Sequence, residues 1–196
     1  MAVALIVGDF QAGITRAHAF ARELVPTVAA LVARAREEGA LIVFIRTELR
    51  ANGLDVAPGN AVIAALHTQP DYHAGSPGTD LDPGLGATDA DAVVVKHRAS
   101  AFTGTDLDLI LRSQGVTSMV VAGVATSAMV AATVYDALDR DYGVAVVSDG
   151  CADPDPQVHR FFVDTVFPGR GVDVVTADGW TAGSSRDRGR SGAVQA

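Results

Sequence analysis

Six short apolar runs punctuate this chain, and they limit its possible folds more than any other feature. They are residues 2–7 (AVALIV), 41–45 (LIVFI), 92–95 (AVVV), 118–122 (SMVVA), 144–147 (VAVV) and 172–175 (VDVV). They are too short for buried helices, and most lack the alternation of a half-exposed strand, so they read as strands covered on both faces. Between them lie segments with helical spacing. In residues 17–38, Leu24, Val28, Leu31, Val32 and Ala35 share a face, Gly39 ends the pattern, and Pro26 marks a kink or the true first turn. Residues 61–67, 105–113 and 156–166, and those from Thr126 onward, are read as further helices, with Thr105 and Asp108 as a shortened capping box. Strands alternating with helices predict an α/β chain: a three-layer α/β/α sandwich around a six-stranded, mostly parallel sheet with right-handed crossovers.

Composition narrows the function classes. The 196 residues fit one domain, read as 1–182, and a Ser-, Gly- and Arg-rich stretch at 183–196 reads as a disordered tail. A formal net charge of −8 disfavours nucleic acid and anionic membrane surfaces as partners. No apolar run nears the roughly 20 residues of a membrane span, and residues 1–10 lack the basic start of a signal peptide. One cysteine, Cys151, excludes an internal disulfide and a multi-cysteine metal site, so a cytoplasmic location is the expectation.

The polar residues of interest sit at strand ends. Asp9 closes the first strand, Lys96 the third, and the fourth turns at Gly123 into the helix that begins near Thr126. Open parallel sheets bind ligands at their carboxyl edge, beside the strand where the order reverses, and both common orders put that point next to the first strand. A lysine closing a buried strand needs a partner or a ligand. Asp9 alone reads equally well as a turn residue. His97 and Arg98 brace the Lys96 strand end or meet a substrate carboxylate. The five histidines show no metal spacing, and Cys151 reads as a buried structural thiol. Residues 68–91, rich in Pro and Gly, form a long loop expected to wall or cover the sheet edge.

The segments ALIVGDFQ, VVVKHRASAFTGTDLD, VVAGVATSAMVAATVYDA and VAVVSDGCADPDPQVHR, in this order, resemble the isochorismatase-like (cysteine) hydrolases over residues 3–177. The resemblance implies the same three-layer fold, a small-molecule substrate, no cofactor, and a homodimer or larger homo-oligomer. In members that cleave amides, an Asp, a Lys and a Cys form the catalytic triad. Asp9 and Lys96 match the first two. The cysteine of the motif G-V-x-T-x-x-C falls on Met129, so the chain resembles a cysteine-lacking subfamily. The resemblance also implies a cis Val124–Ala125 peptide and an oxyanion hole from the amides of Ala125 and Met129. Phe10, Gln11, His97, Arg98 and Thr126 are expected in the substrate pocket. The nicotinamidase branch holds a metal with an Asp-x-His pair; RTELRANG follows the second strand here, and no metal is expected.

A thioether has no proton to lose, so Met129 cannot form an acyl-enzyme. Two readings stay open. One is a cysteine-independent hydrolase of a small polar metabolite with Asp9 as general acid and Lys96 as its partner; isochorismatases proper, which hydrolyse a vinyl ether, likewise use an Asp acid and no cysteine. The other is a non-catalytic family member that binds a small molecule or serves in assembly, with Met129 filling the pocket floor.

Overall fold

Strands that are apolar on both faces need cover on both sides, and the chain supplies it. The computed structural model describes residues 2–183; the expected tail, Gly183 apart, lies outside them. The strands are β1 (Ala2–Gly8), β2 (Leu41–Thr47), β3 (Ala92–Lys96), β4 (Val116–Val124), β5 (Gly143–Ala152) and β6 (Asp173–Val175). They form one sheet in the order β3-β2-β1-β4-β5-β6. Every strand pairing in it is parallel. The sheet grows from β1 in both directions, so the switch point falls between β1 and β4, where Gly8 pairs with Gly123.

Side chains alternate across the sheet and build two cores. On one face Leu5, Val7 and Phe44 pack with Val28, Leu31 and Val32 of α3 (Val25–Glu37). On the other, Ile6, Ile45 and Val121 pack with Leu107 and Leu111 of α5 (Leu107–Ser113) and with Val130 and Val134 at the start of α6 (Ala131–Leu138). Among the described residues no helix is long and apolar enough to cross a membrane.

Several elements differ from the sequence reading. The helix expected over 17–38 is two pieces, α2 (Ala19–Arg22) and α3, and a separate α1 (Ala12–Ala17) precedes them. The chain is extended at His18, and Pro26 stands in the first turn of α3, where its missing N–H costs nothing. β4 runs through Gly123 to Val124. β5 continues past Val147 to Ala152, because its register on β4 shifts and Cys151 then pairs with Gly123. Cys151 is therefore inside a strand and not in a turn. The capping box does not form. Asp108 accepts from Tyr142 and Arg112 instead, while Thr105 alone accepts the Leu107 amide.

Residues 68–91 do wall the carboxyl edge. The segment carries two single turns of 3₁₀-helix, Pro70–Tyr72 and Pro83–Leu85. Backbone bonds fasten it down: Ala12 to Asp80, Gly13 to Gly78, Asp82 to Phe10, and Leu49 to Tyr72. α4 (Ala61–His67), capped by the Asn60 side chain on the Ile63 amide, forms the neighbouring wall.

Phe44, fully buried in the first core, measures the packing of this scaffold. Phe44→Ala should lower the unfolding free energy by about 3–5 kcal/mol in denaturant titration, with an unchanged slope.

Candidate active site at the switch point

Three strands end side by side, and each ends on a polar group. Asp9 follows Gly8 of β1, Thr47 closes β2 and Lys96 closes β3; Thr47 and Lys96 are register partners. Asp9 adopts a left-handed φ of 61°, and its amide donates to the Ile45 carbonyl at 2.9 Å. That conformation is unfavourable for a residue with a Cβ by roughly 1–2 kcal/mol and is best tolerated by Asn and Asp. It turns the carboxylate toward the neighbouring strand ends. Asp9 Oδ2 lies 2.9 Å from Lys96 Nζ. Asp9 Oδ1 accepts from Thr47 Oγ1 at 3.0 Å. Lys96 Nζ donates to Thr47 Oγ1 at 2.6 Å and to the Arg98 carbonyl at 3.2 Å. The ammonium thus has an acceptor for each of its three N–H bonds, and the hydroxyl both donates and accepts.

These groups open onto a cavity of about 380 Å³. Asp9, Thr47, Lys96 and Arg98 form its polar wall; Ile14, Phe20, Ile63, Leu66, Tyr72 and Met129 supply much of its apolar surface. Tyr72 came to light only in the structure. Its phenol is pushed up to about 12, first by burial and then by the charges of Asp9 and Asp71, so it stays a neutral hydroxyl.

Met129 lies in a single turn of π-helix, Thr126–Val130, that leads into α6. The Val124–Ala125 peptide before it is cis. Ala125, Ala128 and Met129 all line the cavity. The Met129 side chain is 1% exposed and lies flat over the two glycines of the switch point. A Cβ on Gly8 would stand 1.9 Å from its Cε and 2.4 Å from its Sδ, and one on Gly123 would be 3.2 Å from its Sδ. The thioether is folded onto the sheet and the cavity stays open. The turn is held from the far side. Asp153 accepts both the amide and the hydroxyl of Ser127, at 2.8 and 2.7 Å. Thr126 Oγ1 meets His159 Nδ1 at 2.8 Å. Burial holds that imidazole below its ordinary value, in the neutral form.

The remaining residues singled out in the sequence are placed differently. Arg98 lines the cavity, but Phe10, Gln11, His97 and Thr126 do not. Phe10 is in the first core. Gln11 is fully buried and grips the end of β2, accepting the Thr47 amide at 2.8 Å and donating to the Thr47 carbonyl at 3.2 Å. It positions Thr47. His97 Nδ1 faces the Glu48 carbonyl at 2.6 Å. Thr126 turns toward His159. Cys151 is 3% exposed in the second core, and burial pushes its thiol up to about 12. It is unsuited to nucleophilic attack. Among the described residues no three His, Cys, Asp or Glu are grouped to hold a metal ion.

A family model described as the isochorismatase domain matches residues 3–179. The chain belongs to the isochorismatase family. It is 34% identical over 140 residues to the probable inactive nicotinamidase of Arabidopsis thaliana, covering 70% of this chain and 71% of that one. It is 30% identical to maleamate amidohydrolase of Pseudomonas putida, covering 88% of this chain and 82% of that protein. A crystal structure of an isochorismatase family protein from Desulfovibrio vulgaris superposes with a TM-score of 0.81 at 31% identity, over 90% of this chain and 94% of that one. The parallel sheet with helices on both faces is the fold of these relatives, and the family is one of hydrolases.

The seat of Met129 on Gly8 can be measured. Gly8→Ala should destabilise the protein by about 1–3 kcal/mol by overpacking. In a Met129→Ala background the same change should cost at least 0.5 kcal/mol less, a coupling typical of touching side chains. Equal costs in the two backgrounds would place Met129 elsewhere.

Proposed function

We propose that this chain is a cysteine-independent hydrolase of a small metabolite, with Asp9 as general acid and Lys96 as its electrostatic partner. One observation carries the reading: the Asp9 carboxyl, paired with Lys96 at 2.9 Å, faces a cavity that Met129 does not fill. Asp9 takes up a proton as the substrate binds and gives it to the substrate. The carboxylate left behind is met by donors already in place, Lys96 and Thr47, so no reorganisation is needed as charge develops. With a vinyl ether, the proton goes to the enol carbon and leaves an oxocarbenium ion. Water adds to that ion and returns a proton to Asp9, and the hemiacetal collapses to a carbonyl compound and an alcohol. This route needs no thiol. The maleamate amidohydrolase relative makes amides the other class to try.

A second reading has its own support. Met129 stands where the resemblance places the nucleophile, and the Arabidopsis relative carries the name of an inactive nicotinamidase. A non-catalytic binding protein would retain the cavity and lose the chemistry.

A panel of vinyl ethers, amides and carbamoyl compounds separates the two. The hydrolase reading expects turnover that falls by about 10²–10⁴-fold in Asp9→Asn, which keeps hydrogen bonds but can neither take up nor deliver a proton, and stays unchanged in Cys151→Ser. Saturable binding without turnover, or Asp9→Asn turning over like wild type, would favour the binding protein. Met129→Cys probes the same environment. At the opening turn of a helix beside Asp9, the new thiol should react with iodoacetamide with a midpoint below the free-thiol value of about 8.5, while native Cys151 stays unlabelled.

A further inference from the structure

The cavity wall holds a cation that the chemistry above does not use. Lys96 and Asp9 offset each other, so Arg98 leaves the lining with one net positive charge, in a chain whose formal net charge is −8. The Arg98 guanidinium is half-buried and is held by two backbone carbonyls, His97 and Asp55, the latter at 3.0 Å. Those bonds fix its position without neutralising it. Among the described residues no carboxylate pairs with it. The nearby Asp55 side chain accepts the Arg50 amide instead and lies 3.7 Å from His97. Arg98 is also tied to the reacting groups, because its own carbonyl accepts from Lys96 Nζ.

The cavity's other side is hydrocarbon. Val62 is 70% exposed although it lines the cavity, and Phe20 and Leu66 are only half-covered. Ile63 and Tyr72 lie deeper. At about 30 Å³ per water, this space equals on the order of a dozen waters, room for a small-molecule ligand.

We infer that the cavity takes a small amphiphilic monoanion: its carboxylate at Arg98, its apolar or aromatic body against Phe20, Val62 and Leu66, and its scissile group at Asp9. The cation is fixed in place, lacks an ion-pair partner and stands at the edge of apolar walls. A carboxylate takes the guanidinium N–H bonds that the two carbonyls leave free, and the body covers exposed hydrocarbon. This narrows the small metabolite of the preceding section to an acid with an apolar body. It rests on the same site, but it concerns recognition, so binding can test it without turnover.

Phenylacetate, phenylacetamide and acetate serve as probes, with dissociation constants from ligand-observed NMR or calorimetry. Wild type should bind phenylacetate at least ten-fold more tightly than either the neutral amide or acetate. Arg98→Met should remove the preference for phenylacetate over the amide and leave amide binding within about three-fold, and Arg98→Lys should keep part of it. The comparison among probes on wild type stands even if Arg98→Met fails to fold. Equal affinities for acid and amide, equal affinities for phenylacetate and acetate, or no saturable binding of phenylacetate would each overturn the inference. Selective binding with no turnover of carboxylate-bearing vinyl ethers, amides or carbamoyl compounds would leave it standing and count against the hydrolase reading alone.

Discussion

A buried ammonium must be matched by acceptors, and the carboxyl edge of this sheet is arranged around that requirement. Lys96 is 3% exposed. Its three acceptors come from three places: the residue after β1, the end of β2, and the backbone two residues beyond Lys96 itself. Only the strand order β3-β2-β1 brings them together. The left-handed turn at Asp9 and the grip of Gln11 on Thr47 follow from the same need, since each delivers an acceptor to the ammonium or holds one still. An unpaired charge here would cost several kcal/mol, far more than the strain at Asp9.

Beside this cluster the fold makes room for a residue that cannot act as a nucleophile. Met129 is longer than cysteine and would crowd the cavity if it extended into it. It lies instead across Gly8, the last residue of β1, and its register partner Gly123 in β4, where no Cβ stands in the way. The turn that carries it is pinned by Asp153 and His159, neither of which lines the cavity. The apparatus that aims residue 129 is therefore separate from the groups that face the ligand. A change of side chain at 129 alters the chemistry available without dismantling the pocket.

Much of this was legible in the sequence, for a definite reason. Strands covered on both faces must be apolar throughout, so the six runs announced themselves, and a charged residue ending such a run stood out at Asp9 and Lys96. Strand ends were harder to place. β5 carries Ser148, Asp149 and Gly150 because its register on β4 shifts, and polar residues in a bulge read as a turn. Thr47 and Tyr72 escaped notice because their proximity to Asp9 depends on strand order and on how residues 68–91 fold back, neither of which periodicity encodes. Thr47 did leave a signal, as a polar residue just past an apolar strand, in register with Lys96. Phe10, Gln11, His97 and Thr126 stand next to Asp9, Lys96 or the β4 turn in the chain but do not line the cavity. Next to a left-handed residue or a strand end, adjacent side chains point to different places.

The central claim is that Asp9 and Lys96 act as one buried unit, and a double-mutant cycle on stability measures it most directly. Asp9→Asn and Lys96→Met would be made singly and together and unfolded in urea. Each single change strands the other charge, which for buried pairs costs about 3–5 kcal/mol. The double variant should be more stable than the sum of the two losses implies, by at least 1.5 kcal/mol of coupling. Additive losses would contradict the claim, because they would mean that each residue is held by its surroundings and not by the other.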